Sequence, residues 1–455
     1  LYNFKKIIVY HYLSDGKLER RKKLMAITLE KIGKIVEVLP VFFHTKETIN
    51  VIGEPGMGKT EILSGEMENL ITLEVERVWG GEAEMKKRGF DVKNHYSFID
   101  GSGMPTEAIV IPYINNEAVD HLQRDLIPEL KKARRFLADK KNDGLTYVIF
   151  IDEFTSFNQS DQRTLMNLIQ SGLLPDGTRI DKKRIWFILA GNPAPSIPGF
   201  EDSDSPTHEM ELAVITRGAT FFVAPDVDSF LLWGATASKQ WTGEKLVGRS
   251  NIHPYLLSAL TKNKELYNKK DITDVRVLNS RTAKKLSNYL YGVEDLKAQK
   301  KGDHRWQSIV IEAYAGVNIG QSLASTIQHL DSLVSPTELF GDGKSNKISK
   351  SDAIVKKFEA MDGFEKYYLL LKATEDGSGV DFSNENYVYK LCWIMGNLTV
   401  PSEVFGALGD RVLNAPEGTN VKNLFDNKYF QAAPDSGYNF LIELAQLRNL
   451  TKSIE

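Results

Sequence analysis

A parallel α/β sheet followed by a mostly helical second half is the fold class this sequence predicts. Three observations carry that expectation. From residue 46 to about 223, short apolar runs alternate with stretches of helical spacing, as strands and crossover helices do in a parallel sheet. One apolar run leads straight into a glycine-rich loop. Past Pro225 the strand pattern fades and helical spacing takes over.

Residues 1–45 read as a charged, helical N-terminal segment, and the run Arg20, Arg21, Lys22 and Lys23 reads as a solvated face. The strands expected next are Ile49–Ile52, Tyr147–Ile151, Ile185–Ala190 and Thr220–Val223, with a further one near His95–Ile99. Pro128 stands where a helix can begin, because its missing N–H is one the first turn leaves unpaired, and Leu130, Ala133 and Leu137 follow at helical spacing. Leu165, Leu168 and Ile169 form another helical stripe, closed by Gly172. Residues 226 to about 295 read as helices, and residues 296–455 as further helices separated by loops rich in Gly, Asn and Asp. The expected division is therefore 1–45, an α/β core at 46–223, a helical lid at 224–295 and a helical C-terminal region at 296–455.

Composition narrows the class. The chain has 455 residues, with 42% hydrophobic and 26% charged, which suits more than one folded unit. Its 57 basic and 60 acidic residues leave a net charge of −3, so no overall field draws it to nucleic acid. Cys392 is the single cysteine, which excludes an intramolecular disulfide and fits a cytoplasmic location. No signal-peptide pattern opens the sequence, and its longest apolar runs are far shorter than the ~20 residues of a membrane span.

The chemistry gathers at strand ends. Gly53, Glu54, Pro55, Gly56, Met57, Gly58, Lys59 and Thr60 fit the phosphate-loop pattern at every position, between a strand and a helix. Glycines let the backbone N–H groups wrap phosphates, Lys59 is placed to reach the outer phosphates, and Thr60 to ligate Mg²⁺. The wholly apolar run Tyr147–Ile151 ends in Asp152 and Glu153, at the edge where open α/β sheets bind ligands. Asp152 reads as a second Mg²⁺ holder and Glu153 as the general base for an attacking water. Asn192 ends a third strand, where a neutral amide can orient that water. Arg217 precedes the last strand and Arg281 opens a helix of the second half. Either guanidinium can serve a terminal phosphate.

With those residues in order, the chain resembles a MoxR-type AAA+ ATPase over roughly residues 46–295. The resemblance is carried by GEPGMGKT, VIFIDE, LIQSGLLPDGTRIDKKRIWFILAGNP, ELAVITRG and PDVDSFLLWG. Residue by residue, Lys59 and Thr60 match Walker A, Asp152 and Glu153 Walker B, Asn192 sensor 1, Arg217 the arginine finger and Arg281 sensor 2. Gly218 stands where the family usually has an aromatic, and Ser280 where it often has Pro. The long stretch between Thr60 and Tyr147 has room for an insertion, and Gly101–Pro105 is either a plain connection or, as its place in relatives implies, a pore or partner loop. The resemblance implies ATP and Mg²⁺ as cofactors and a ring of copies, commonly a hexamer, in which Arg217 acts on the neighbour's ATP. It also implies a remodelling or assembly role towards a protein substrate, often beside a partner with a von Willebrand A domain. The alternative is a nucleic-acid-translocating motor, suggested by Lys131, Lys132, Arg134, Arg135, Lys140 and Lys141.

Overall fold

Predominantly apolar runs build the central sheet. The structure is a computed structural model. It describes residues 29–102, 110–114, 122–195, 197, 200, 217–241, 246–271, 274–299, 305–413 and 415–427. The strands are β1 (Leu29–Glu30), β2 (Ile49–Gly53), β3 (Tyr96–Asp100), β6 (Tyr147–Asp152), β7 (Ile185–Gly191) and β8 (Ala219–Val223), in the order β1-β8-β2-β7-β6-β3. Every pairing is parallel. All of β7 is buried, as is β6 up to its last residue, which is why their sequences run apolar instead of alternating. The five expected strands are all present, within a residue or so at each end. β1 is an addition that the sequence did not signal.

The described residues fall into two compact units. One takes the chain up to Pro55 and from Lys59 to Ala224, and the other takes Gly56–Gly58 and the chain from Pro225 onward. In the first unit, α1 (Ile32–Thr45) buries Ile32, Ile35, Leu39 and Phe43 and packs against α2 (Lys59–Trp79). A short α3 (Glu82–Lys87) follows α2, and α4 (Pro128–Ala138) packs on β3 and β6 with Leu130, Ala133 and Phe136 buried. In α5 (Gln159–Ser171) the Asn158 side chain accepts a hydrogen bond from the Asp161 N–H at the start. Gly172 ends it at φ 66°, with the Leu168 carbonyl accepting from the Gly172 N–H at 2.8 Å. The expected insertion after α2 contains an antiparallel hairpin, β4 (Val110–Ile114) with β5 (Leu122–Leu126). Arg20–Lys23 and Gly103–Pro105 lie outside the described residues.

The second unit is mainly helical, from Val227–Ala235 to Asn420–Asp426, as expected. One expectation is corrected: residues 226–295 are not all helix. An antiparallel hairpin joins β9 (Ala237–Trp241) and β10 (Leu246–Ser250), and a shorter one joins β11 (Lys270–Asp271) and β12 (Asp274–Val277). The first hairpin is fixed by contacts far along the chain. The Asp376 N–H donates to the Gly248 carbonyl at 2.9 Å, and the Ser250 N–H donates to Glu375 at 3.1 Å. A Cβ on Gly248 would come within 2.6 Å of Thr419. Such tertiary partners override weak local propensity.

Candidate functional site

All strands of the sheet run the same way, so their carboxyl ends share one edge. Register places Asp100 beside Asp152 and Gly191 beside Ile52 on that edge. The turn from β2 into α2 is the phosphate-loop sequence. Gly56 and Gly58 both have φ 78°, the left-handed conformation that favours glycine. Lys59 opens α2 and is buried. Its ammonium donates to the carbonyls of Gly53 at 2.6 Å and Glu54 at 2.9 Å, and to Asn192 Oδ1 at 3.3 Å. The Thr60 hydroxyl donates to Asp152 Oδ2 at 2.6 Å, and the Glu153 N–H donates to Asp152 Oδ1 at 3.0 Å.

Glu153 takes the left-handed conformation, φ 50°, costly for a residue with a Cβ, just where β6 ends. Its Oε2 accepts from Asn192 Nδ2 at 2.7 Å. Burial and the neighbouring Asp152 push its carboxyl pKa up. Lys59 and the Asn192 hydrogen bond pull it down, and Asp100 adds a smaller upward push. Asn192 thus bridges Lys59 and Glu153 through the two ends of one amide.

At this edge the sequence reading did not single out Thr155 or Asp100, and it named Gly101 only as the start of a loop. Thr155, buried, accepts from the Asn192 backbone N–H at 3.0 Å through its hydroxyl and so anchors the main chain at Asn192. A Cβ on Gly101 would lie 2.6 Å from the Glu153 carbonyl, so only glycine lets β3 run on beside the Glu153 turn. Asp100 ends an apolar strand just as Asp152 does, and that signal was present in the sequence. The roles of Thr155 and of Gly101 at this edge gave none, because they arise from which strands become neighbours.

The oxygen donors and glycines suit a nucleoside triphosphate carried with a hard cation. Thr60 and Asp152 offer oxygen ligands, as Mg²⁺ prefers, and the loop presents backbone N–H groups and a lysine.

Arg217 stands at the other edge of the sheet. It lies two residues before β8, and the Thr48 carbonyl, just before β2, accepts from the Ala219 N–H at 3.0 Å. The length of β2 separates it from its own phosphate loop, roughly 16 Å at about 3.3 Å per residue. A Cβ on Gly218 would sit 2.8 Å from the Thr48 carbonyl, so no aromatic fits where the resembled family has one. Arg281 is the second residue of the helix Ser280–Ala298, exposed, in the second unit. That helix starts with a capping box between Asn279 and Thr282. The basic stretch on and after α4 is engaged locally: Lys132 donates to the Tyr96 carbonyl at 3.0 Å, Arg134 pairs with Asp176 at 2.9 Å and Lys141 with Asp139 at 3.2 Å. Among the described residues no helix is long and apolar enough to cross a membrane.

The five strands β3-β6-β7-β2-β8, counted from the phosphate-loop strand, have the order 2-3-4-1-5. With the loop after the first of them and the acidic pair after the third, this is an α/β core of the AAA+ type. No protein-family model matches the chain, and no curated protein does. Among solved structures it is similar to a mutant RuvB from Thermotoga maritima, at 10% identity and a TM-score of 0.24, covering 66% of this chain and 67% of that one. It is also similar to PCH-2 from C. elegans, at 9% identity and a TM-score of 0.26, covering 66% and 68%. What marks the core is its strand order and the placement of the loop after β2.

Proposed function

We propose that this chain is an AAA+ ATPase that hydrolyses ATP with Mg²⁺ in a ring of copies and uses the energy to remodel or assemble a protein partner, in the manner of the MoxR type. The observation that carries the reading is the shared edge of the sheet. There the Thr60–Asp152 pair, Lys59, Glu153 and Asn192 are joined by hydrogen bonds of 2.6–3.3 Å.

Bound ATP and Mg²⁺ would supply the scissile phosphoanhydride and neutralise its charge. The residues divide the remaining work. The loop backbone and Lys59 hold the phosphates, and Thr60 and Asp152 hold the cation. Glu153 accepts the proton of the attacking water, for which its raised pKa suits a base. Asn192 keeps that carboxylate in place and spans to Lys59. Arg217, on the far edge from its own loop, serves the nucleotide of a neighbouring copy. The resemblance to the MoxR type assigns Arg281 to the same chemistry. The C-terminal region, 296–455, is assigned to the protein partner, a von Willebrand A domain protein among the candidates. The buried thiol of Cys392 fits a cytoplasmic setting.

The test uses two variants. Lys59→Ala is expected to lose binding of a fluorescent ATP analogue while keeping its far-ultraviolet circular dichroism. Glu153→Gln is expected to bind the analogue and to turn over roughly 10²-fold or more slower, the usual scale for losing a positioned base. Parental affinity in the first variant, or parental turnover in the second, would remove the reading.

A further inference from the structure

A charged cavity lies at the amino edge of the sheet. It measures about 260 Å³, and four cations line it, Lys46, Lys182, Lys183 and Arg217, against the single carboxylate of Glu47. All belong to the first unit. The sequence explains their meeting: Lys46 ends α1 just before β2, Lys182 and Lys183 form the turn before β7, and Arg217 stands before β8. Parallel neighbours put those three entries side by side.

Two of the cations are occupied. Lys46 donates to the Phe43 carbonyl at the end of α1 and lies 3.7 Å from Glu74. Lys182 donates to the Gln170 carbonyl at 2.8 Å, near the end of α5. These are helix-end carbonyls, which cations commonly satisfy. Lys183 and Arg217 differ. Both are exposed, and among the described residues neither side chain has a hydrogen bond or ion pair. Like charges on one small cavity repel each other unless an anion joins them. A lysine supplies a point charge and an arginine a planar fork, a pairing suited to phosphate oxygens.

We propose that Lys183 acts with Arg217 on the terminal phosphates of a nucleotide held in the phosphate loop of a second copy of this chain. The proposal rests on reading Gly53–Thr60 as a nucleotide site. A second copy is required because the cavity and the chain's own phosphate loop lie at opposite ends of β2.

The experiment uses the full chain with Lys183→Ala, Lys183→Arg, Arg217→Ala and Glu153→Gln. Phosphate release, binding of a fluorescent ATP analogue and subunit exchange by energy transfer are measured. Lys183→Ala is expected to lose on the order of tenfold or more in turnover, as removal of a phosphate-stabilising cation does. It should keep its analogue affinity within about twofold, because its own loop is intact. Lys183→Arg should restore most of the turnover. Mixed with Glu153→Gln under exchange, Lys183→Ala should regain activity, since the Glu153→Gln copies lend their Lys183 to sites with an intact base. Parental turnover in Lys183→Ala overturns the proposal. So does a lack of rescue when exchange is observed. If Arg217→Ala is rescued and Lys183→Ala is not, Lys183 fails alone and the proposed function stands. If the parent does not hydrolyse ATP, both fail together. Unchanged turnover, with tripolyphosphate binding to Lys59→Ala that is lost on adding Lys183→Ala, would assign the cavity to a free anion and also overturn the proposal.

Discussion

Glu153 shows what the surroundings of one side chain do to its chemistry. Its raised carboxyl pKa arises first from burial and next from Asp152, with a lesser part from Asp100. The folded protein therefore holds this proton to higher pH than the unfolded chain does. The resulting stability is full below the ordinary glutamate pKa of 4.5 and is lost as pH rises through the folded value. Activity has the opposite need, because a base works only when ionised. The acid limb of kcat/KM, which reports the free enzyme, is expected above the ordinary glutamate range. Asp100→Asn removes one negative neighbour and should move that limb to lower pH. A limb that stays put in this variant would mean that Glu153 does not set it. The acidic pair itself was legible in the sequence because an apolar strand delivered it to a sheet edge. Its coupling to Asn192 was not, since a hydrogen bond between residues 39 apart depends on which strands pair.

Elements were legible where one period dominated. The buried strands β6 and β7 read as unbroken apolar runs, and α4 and α5 announced themselves by Pro128 and Gly172. The hairpins of the second unit were missed because Ala237–Trp241 owes its conformation to residues near 248, 376 and 419 and not to its own pattern. β1, two residues long, is too short to carry a period. The packing of α4 also has a consequence for pH. His95, just before β3, lies buried among Trp79, Phe90 and Phe136, at ring-centroid distances of 5.0–6.1 Å along that cluster. Burial lowers its pKa from 6.5 to about 4, against a partial upward pull from Asp91 and a further lowering by Lys132 and Lys141. The neutral ring is therefore the folded form, and the unfolded chain takes up the proton first. Stability should fall as pH drops from 6.5 towards 4, by up to about 3 kcal/mol from this residue, an upper figure at the acid end. Thermal unfolding of the parent and of His95→Phe across that range checks it. The variant's midpoint should fall less steeply with acid. Parallel curves would place the acid sensitivity elsewhere.

At the scale of the whole molecule, the orientation of the sheet sets a condition on catalysis. Gly53, Asp152 and Asn192 belong to the carboxyl edge, while Arg217 belongs to the amino edge. A guanidinium cannot cross the length of a five-residue strand, since its side chain reaches only about half of roughly 16 Å. If Arg217 contributes to hydrolysis, the nucleotide that it meets is in another copy, and the catalytic unit is a pair of chains. Turnover per chain should then depend on protein concentration: low when copies are dispersed, and rising to a plateau as they associate. A non-hydrolysable ATP analogue bound at the shared boundary should lower the concentration at which light scattering detects assembly, because a ligand that binds the assembled form more tightly than the dispersed one shifts the equilibrium towards assembly. Arg217→Ala should bind nucleotide like the parent, since its own loop is untouched, yet stay near its low, dispersed rate at every concentration. Mixing it with Glu153→Gln supplies an intact arginine opposite an intact base at some boundaries. Those boundaries should hydrolyse ATP although neither variant does so alone. A parent whose turnover per chain is constant from dilute to concentrated solution would show that one copy suffices. Arg217 would then have no catalytic task, because its position leaves no route to its own phosphate loop.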